Sequence, residues 1–337
     1  MKNALKITFA YLAAVIGAGF ASGSEAVYYF VRFGKISFIG IVGAALGFGL
    51  LAFLTVEICR KNNIHDFYAL TDNIMPHRFG TLIRIVSDIF MLIILGAMIC
   101  AFAQMSVLLF GIPTRFCAAA FSLLCLAVLY SPEKAIINLS GSLGIYIVMF
   151  LCVMCIYMIN HRCTDVFSQS AKSIFSSASY TSYNFVSACP LLCTASSGIK
   201  SKRQSVLIGI MSCAFSFLAL FLIWTIISVY YGKIPLGELP MLTLASRQGY
   251  FFCLLYASVM AMSILTTAIA SAFGASKSST LSFLPKSARP AITVAAGFII
   301  SSVGFSSIVS RLYNLAGICT IVLPVSLLIK FAINADK

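Results

Sequence analysis

Apolar residues in this chain fall into long, nearly unbroken runs separated by short polar segments. Ten runs stand out: Ile7–Phe33, Ile36–Val56, Ile85–Phe110, Phe116–Tyr130, Ala135–Ile159, Ser173–Ile199, Val206–Tyr231, Gly249–Ala275, Pro290–Phe305 and Leu312–Ile329. About 20 helical residues cross a hydrocarbon core. Most runs therefore suffice to span a bilayer, the long ones by tilting, and the fourth and ninth are short. The pattern predicts an all-α integral membrane protein of ten transmembrane helices.

Two runs are interrupted in ways that a plain membrane helix is not. In the first, Ile16-Gly17-Ala18-Gly19-Phe20-Ala21-Ser22-Gly23-Ser24-Glu25 stays largely apolar but contains three glycines, each costing about 1 kcal/mol in a helix relative to alanine. This stretch predicts a broken helix, because unwound backbone at membrane depth persists only where protein buries it or where it lines a cavity. Close helix packing through small residues is the plainer alternative, but it gives no role to Glu25. A cleaved secretory leader (Lys2, Lys6, an apolar run, small residues near Ala21) is the other, and the membrane character of everything that follows argues against it. In the sixth run, Ser176–Phe185 is rich in hydroxyls and precedes Pro190. Proline removes one backbone donor and frees a carbonyl, so a second break is expected there; the alternative is a proline-containing helix whose hydroxyls bond back to its own carbonyls. Paired interruptions in corresponding helices of two halves point to a transporter binding site. The eighth run adds Ser263, Thr266 and Thr267, neutral oxygens that suit a small hard cation or serve as interhelical glue.

Composition narrows the class. With 61% hydrophobic and 9% charged residues in 337, the chain has no polar stretch long enough for a soluble domain. Residues 1–337 are expected to form a single transmembrane domain, with repeats of about 1–160 and 161–337. Five helices per repeat, an odd number, invert the second repeat relative to the first. The net charge of +14 reads as topology rather than as a nucleic-acid surface. Of the 23 Lys and Arg, only Arg32, Lys35, Arg115, Arg162, Lys172, Lys233, Arg247 and Arg311 fall opposite the side that holds the termini. The positive-inside rule then places both termini in the cytoplasm of a cell-membrane protein. The polar segment from Arg60 to Arg84, with His65, Asp66, Asp72 and His77, is expected to be a cytoplasmic amphipathic stretch. The 12 cysteines lie mostly inside apolar runs and lack the spacing of a disulfide framework. The three histidines, His65, His77 and His161, sit in loops away from any catalytic spacing, so no enzymatic activity is expected.

Gly17-Ala18-Gly19-Phe20-Ala21-Ser22-Gly23 with Glu25, Ser182-Tyr183-Asn184 ahead of Pro190, and Leu312-Tyr313 resemble the bacterial YkvI-like membrane proteins. More broadly the chain resembles the LeuT fold of the amino acid–polyamine–organocation superfamily. That resemblance implies a five-plus-five inverted repeat with helices one and six broken, a bundle of helices one, two, six and seven, and a scaffold of three, four, eight and nine. It implies a substrate site at the Gly17, Ala18 and Gly19 amides with Glu25, Tyr183 and Asn184. It also implies a sodium site at the Ala13, Ile16 and Ser263 carbonyls and the Thr266 and Thr267 hydroxyls. The expected activity is ion-coupled symport of an amino acid or similar small zwitterion, driven by sodium or protons and with no organic cofactor. The expected partners are that solute and the lipid bilayer. A membrane ligand sensor is the alternative, and Cys189 with Cys193 raises a third, a soft-metal transporter.

Overall fold

In the computed structural model, residues 2–158, 172–278, 281 and 283–335 are described, and every regular element among them is helical. Ile159, His161, Arg162 and Lys337 lie outside the described residues.

The first apolar run is broken as expected. It forms α1 (Lys2–Val15), α2 (Ala18–Ser22) and α3 (Ser24–Tyr29), followed by a 3-10 turn over Val31–Ile36. Gly17 is extended between the first two pieces, and Gly23 turns the chain with φ 81°, a left-handed conformation that glycine adopts without strain. Next come α4 (Ser37–Asn62), α5 (Phe67–Ile74), α6 (His77–Phe110), α7 (Thr114–Leu129) and α8 (Glu133–Met158). The polar segment 60–84 is thus more ordered than its composition suggests. Asp66 caps α5 by accepting from the Ala69 N–H at 2.8 Å, Phe67 and Leu70 are buried, and α6 begins two turns before Ile85.

The second half contains α9 (Lys172–Ser196), α10 (Lys202–Tyr230), α11 (Pro240–Ser246), α12 (Tyr250–Ser276) and α13 (Arg289–Ile300). It ends in α14 (Phe305–Ser307), a π-helical turn over Ile308–Leu312, α15 (Tyr313–Thr320) and α16 (Val322–Ala335). The sixth run overturns an expectation: α9 is one continuous helix through Ser176–Phe185, with Pro190 inside it. Several of its polar side chains bond back to the helix's own carbonyls, while Ser176 donates to Tyr29 O and Ser182 bonds with Thr320. Thr181 donates to Ser177 O at 2.9 Å, Asn184 to Tyr180 O at 3.1 Å, Ser187 to Asn184 O at 2.8 Å and Thr194 to Pro190 O at 3.0 Å. Residues 181–196 are all buried, so α9 runs through protein rather than lipid and its polarity meets no hydrocarbon. Modest propensity losses yield to that packing.

Packing sorts the helices into two groups. Helices α1, α4, α9 and α10 pack on one another, and α6, α7, α12 and α13 do the same, with α8 between α1 and α12. This is the bundle and scaffold that the resemblance implies. Among the described residues six helices are long and apolar enough to cross a membrane, and α7 and α13 are shorter apolar helices. Large apolar side chains stand exposed along them, including Ile39, Leu108 and Phe116 at 58%, 68% and 72%, as a lipid-facing surface requires. The chain is a multi-pass membrane protein.

The bundle helices α4 and α10 meet backbone to backbone. A Cβ on Gly209 would lie 2.8 Å from Phe53 Cβ and 2.9 Å from Gly49 O, whereas one on Gly43 would meet only Ser177 Oγ at 3.7 Å. Gly209→Ala should therefore cost about 1–3 kcal/mol by overpacking, while Gly43→Ala should be neutral or stabilising. Thermal unfolding in detergent checks this, and equal melting temperatures for the two variants would contradict the close contact.

Candidate substrate and ion site

A broken helix leaves backbone groups that must find partners. The Gly17 N–H turns back to Val15 O at 2.9 Å and the Ile16 N–H to Leu12 O at 2.7 Å. The remaining carbonyls of the break are met by α12. Thr266 Oγ1 donates to Ala13 O at 2.8 Å; Thr267 Oγ1 lies 3.0 Å from Ala14 O and 3.2 Å from Ala13 O; Ser263 Oγ donates to Ile16 O. Thr266 Oγ1 is also 3.0 Å from Ser263 O. The oxygens of Ala13, Ile16, Ser263, Thr266 and Thr267 are therefore gathered in one buried cluster, joined hydroxyl to carbonyl. All are neutral and hard, the donor set that favours an alkali or other hard cation over a soft metal. Further along, Tyr256 OH donates to Ala21 O at 2.6 Å, and Ser22 and Ser24 hydroxyls donate to Gly19 O at 3.2 and 3.3 Å.

Glu25 lies in the first turn of α3, two residues after Gly23. Its side chain folds back over Gly19 so closely that a Cβ there would overlap the carboxyl group. On its other side stand Tyr180, Tyr183 and Asn184 of α9. Tyr183 is also packed against Tyr29, Tyr180 and Tyr313, with ring centroids 5.6, 5.7 and 5.0 Å apart, and Phe90 closes the group 5.8 Å from Tyr183 and 5.7 Å from Tyr313. Glu25 and these four tyrosines are at most 3% exposed. Tyr180, Tyr183 and Asn184 stand close enough to interact with the Glu25 carboxyl group, and Tyr183 with Tyr29, yet Glu25 Oε2 and the hydroxyls of Tyr29, Tyr180, Tyr183 and Tyr313 make no well-aligned hydrogen bond. Each buried polar atom left without a partner costs about 1–3 kcal/mol, so four hydroxyls and a carboxyl oxygen in one place is an unusual arrangement for a core that serves only packing.

Of the expected site residues, the structure brings Gly19, Glu25, Tyr183 and Asn184 together, and sets Gly17 against Thr267, where a Cβ would approach the threonine to 3.0 Å. The Gly17 amide is spent within the turn, so it is not a free donor for a ligand, and Ala18 begins α2. Tyr29, Tyr180 and Tyr313 were not singled out as site residues. The first two had a signal: Tyr29 is four residues after Glu25 and Tyr180 three before Tyr183, each on the same helical face as its neighbour, which counts only if both segments are read as helices. Tyr313 owes its place to the π-helical turn before it, a local device without a clear sequence signature. Several other acids have partners: Glu57 meets Arg60 at 2.6 Å, Asp72 meets Arg84 at 2.8 Å, and Asp88 accepts from Tyr68 at 2.8 Å and from Ser278. Cys189 and Cys193 sulfurs are 3.9 Å apart, but among the described residues no group of three or more His, Cys, Asp or Glu is placed to hold a metal.

Two clefts approach this centre from opposite ends. One, of about 410 Å³, is bordered by Ser24, Tyr28, Arg32, Glu238, Phe305 and Val309. The other, of about 380 Å³, is bordered by Asp66, Glu133, Pro190, Thr194, Lys277 and Arg289, and a Lys277–Glu133 ion pair of 2.6 Å crosses its wall.

No family model matches the chain. It is 25% identical to "Uncharacterized membrane protein YkvI" of Bacillus subtilis (strain 168), over 98% of this chain and 96% of that one. It is 22% identical to "Uncharacterized protein YyaD" of the same organism, over 94% of each. Among solved structures it is similar to Mhp1, a nucleobase-cation-symport-1 family transporter in a closed conformation, with TM-score 0.66 and 11% identity over 93% of this chain and 74% of that one. It is also similar to a Na+-coupled sialic acid symporter, with TM-score 0.63 and 14% identity over 93% and 76%, and to a manganese transporter of Eremococcus coleocola, with TM-score 0.58 and 13% identity over 97% and 78%. At these identities the likeness establishes the fold: an all-α membrane protein of the LeuT type, as the resemblance implied.

The contact between Gly19 and Glu25 makes a measurable pair. Gly19→Ala should destabilise the protein, because its Cβ collides with the Glu25 carboxyl group, and Glu25→Ala should remove most of that penalty. Residues in contact couple by about 0.5–3 kcal/mol, so a double-mutant cycle of thermal unfolding should be clearly non-additive; additive effects would mean that the carboxyl group does not rest on Gly19.

Proposed function

We propose that the chain is a secondary active transporter in the cell membrane. It carries an amino acid or similar small organic zwitterion by alternating access, in symport with sodium or protons, with both termini cytoplasmic. The observation that carries this reading is a helix broken at Gly17 and Gly23 inside a closed bundle, with a buried acid over the break and neutral oxygens of a second helix beneath it. The fold shared with solved secondary transporters supports it. Within the 337-residue domain, the substrate's carboxylate takes the N–H groups of Ala18 and Gly19, which begin α2 and have no partner within that helix. Its ammonium turns to Glu25, Tyr183 and Asn184. The coupling ion replaces the hydrogen bonds among Ala13, Ile16, Ser263, Thr266 and Thr267 with bonds to itself.

Replacing potassium by sodium at constant ionic strength should raise the melting temperature of the purified protein. Thr267→Ala, which deletes one neutral ligand, should weaken the apparent sodium affinity at least tenfold, about 1.4 kcal/mol. Linkage requires the same factor to appear in substrate affinity. Stability and uptake into proteoliposomes that ignore sodium in the wild type would eliminate sodium and leave a proton as the coupling ion. Ligand binding with no flux under any imposed gradient would replace transport by sensing.

A further inference from the structure

The chamber at Glu25 has a chemical preference of its own. Its polar groups are the Glu25 carboxyl group, the hydroxyls of Tyr29, Tyr180, Tyr183 and Tyr313, and the Asn184 amide, whose Nδ2 is spent on Tyr180 O; its walls are the faces and edges of those rings with Phe90. Glu25 has no ion-pair partner among the described residues. Arg32, three residues beyond Tyr29, borders the 410 Å³ cleft and does not pair with Glu25; it stacks at 4.0 Å on the ring of Tyr28 and at 4.7 Å on that of Phe33. An anion entering here would meet a carboxylate and the negative faces of several rings with no cation to offset them. An ammonium group would meet the complementary set. It has three donors and no acceptor, Glu25 Oε2 and the phenol oxygens accept, and aromatic faces attract a desolvated cation.

We propose that this chamber is the recognition site for the substrate's ammonium pole, so that the cargo is a compact organic amine for which a free carboxylate is dispensable. The inference rests on the reading of the break as the substrate site and narrows it. The 410 Å³ cleft is bordered by Ser24, Tyr28 and Val309, chain neighbours of Glu25, Tyr29 and the turn leading to Tyr313, but not by the chamber residues themselves, so an amine arriving there reaches Glu25 only when the rings part. In the absence of ligand the unpartnered hydroxyls burden the fold. They become useful when a charged donor enters, since hydrogen bonds to an ionised group are about twice as strong as neutral ones.

The test uses the full chain in detergent or nanodiscs with matched probes: a series of primary alkyl- and arylalkylamines, the α-amino acids with the same side chains, and their N-acetyl derivatives. Thermal stabilisation and calorimetry give affinities. For at least one side chain, the amine should bind as tightly as its amino acid or more tightly, and the N-acetyl acid should not bind. Glu25→Gln should weaken the amine at least tenfold. Tyr183→Phe and Tyr313→Phe supply a second readout: each should keep or raise the melting temperature of the ligand-free protein, because an orphan hydroxyl is gone, while weakening the amine severalfold. If amino acids bind and their amines do not, the ammonium-pole inference is overturned while the proposed transport stands. If N-acetyl acids bind as well as amino acids, the carboxylate is the recognised pole and the inference is likewise overturned. If neither amines nor amino acids bind or move, both the inference and the proposed function fail. If the Tyr→Phe variants lose stability without a change in affinity, the hydroxyls belong to the core and the chamber is no site.

Discussion

The structure depends on α12 supplying hydroxyls to the carbonyls that the first helix gives up. An interrupted helix in a bilayer is viable only if its freed backbone is satisfied from within the protein. Here Thr266, Thr267 and Ser263 donate to Ala13, Ala14 and Ile16, and Tyr256 reaches Ala21. These bonds fasten a bundle helix to the scaffold at the point where it departs from regular geometry. The glycines make the break possible, and α12 stabilises it. The same oxygens serve as a hydrogen-bonded seam or as a set of ion ligands, since a hydroxyl that donates to a carbonyl keeps lone pairs for a cation.

Around that seam, the polar groups of the interior divide into satisfied and unsatisfied ones. The ion pairs Glu57–Arg60 and Lys277–Glu133 lie near helix ends, and the Arg84–Asp72 pair and the bonds of Asp88 fall two to three turns into α6. Buried polar atoms without a partner are scattered through the bundle, as at Thr55, Ser140, Ser212 and Ser271, but five of them, Glu25 Oε2 and the hydroxyls of Tyr29, Tyr180, Tyr183 and Tyr313, meet where α3, α9 and the start of α15 converge. A native interior leaves few polar atoms unpartnered, and this is the place where several surround one acid.

Much of this was legible in the sequence. Three glycines beside an acid located the break, and hydroxyls at Ser263, Thr266 and Thr267 located its partner, because both features are compositional and local. In the sixth run the expected second break gives way to the alternative, a continuous proline-containing helix, because hydroxyls signal unwinding in lipid but not in a helix buried by protein. In the folded chain Thr181, Asn184, Ser187 and Thr194 turn on their own helix, and burial on nearly every face of α9 makes a polar helix tolerable. Which face is buried is a tertiary fact that hydropathy does not carry. The tyrosine chamber was missed for the same reason. Its members come from residues 29, 180, 183 and 313, and only the crossing of three helices makes them neighbours.

The continuity of α9 has a mechanical consequence. Tyr183 and Thr194 belong to one rod, eleven residues apart, or about 16 Å of helix axis. The first borders the acid chamber, and the second borders the cleft that Lys277 and Glu133 flank. A continuous helix fixes the separation of these two places, so the acid and the cleft are joined by one stiff element, interrupted in its hydrogen bonding only at Pro190.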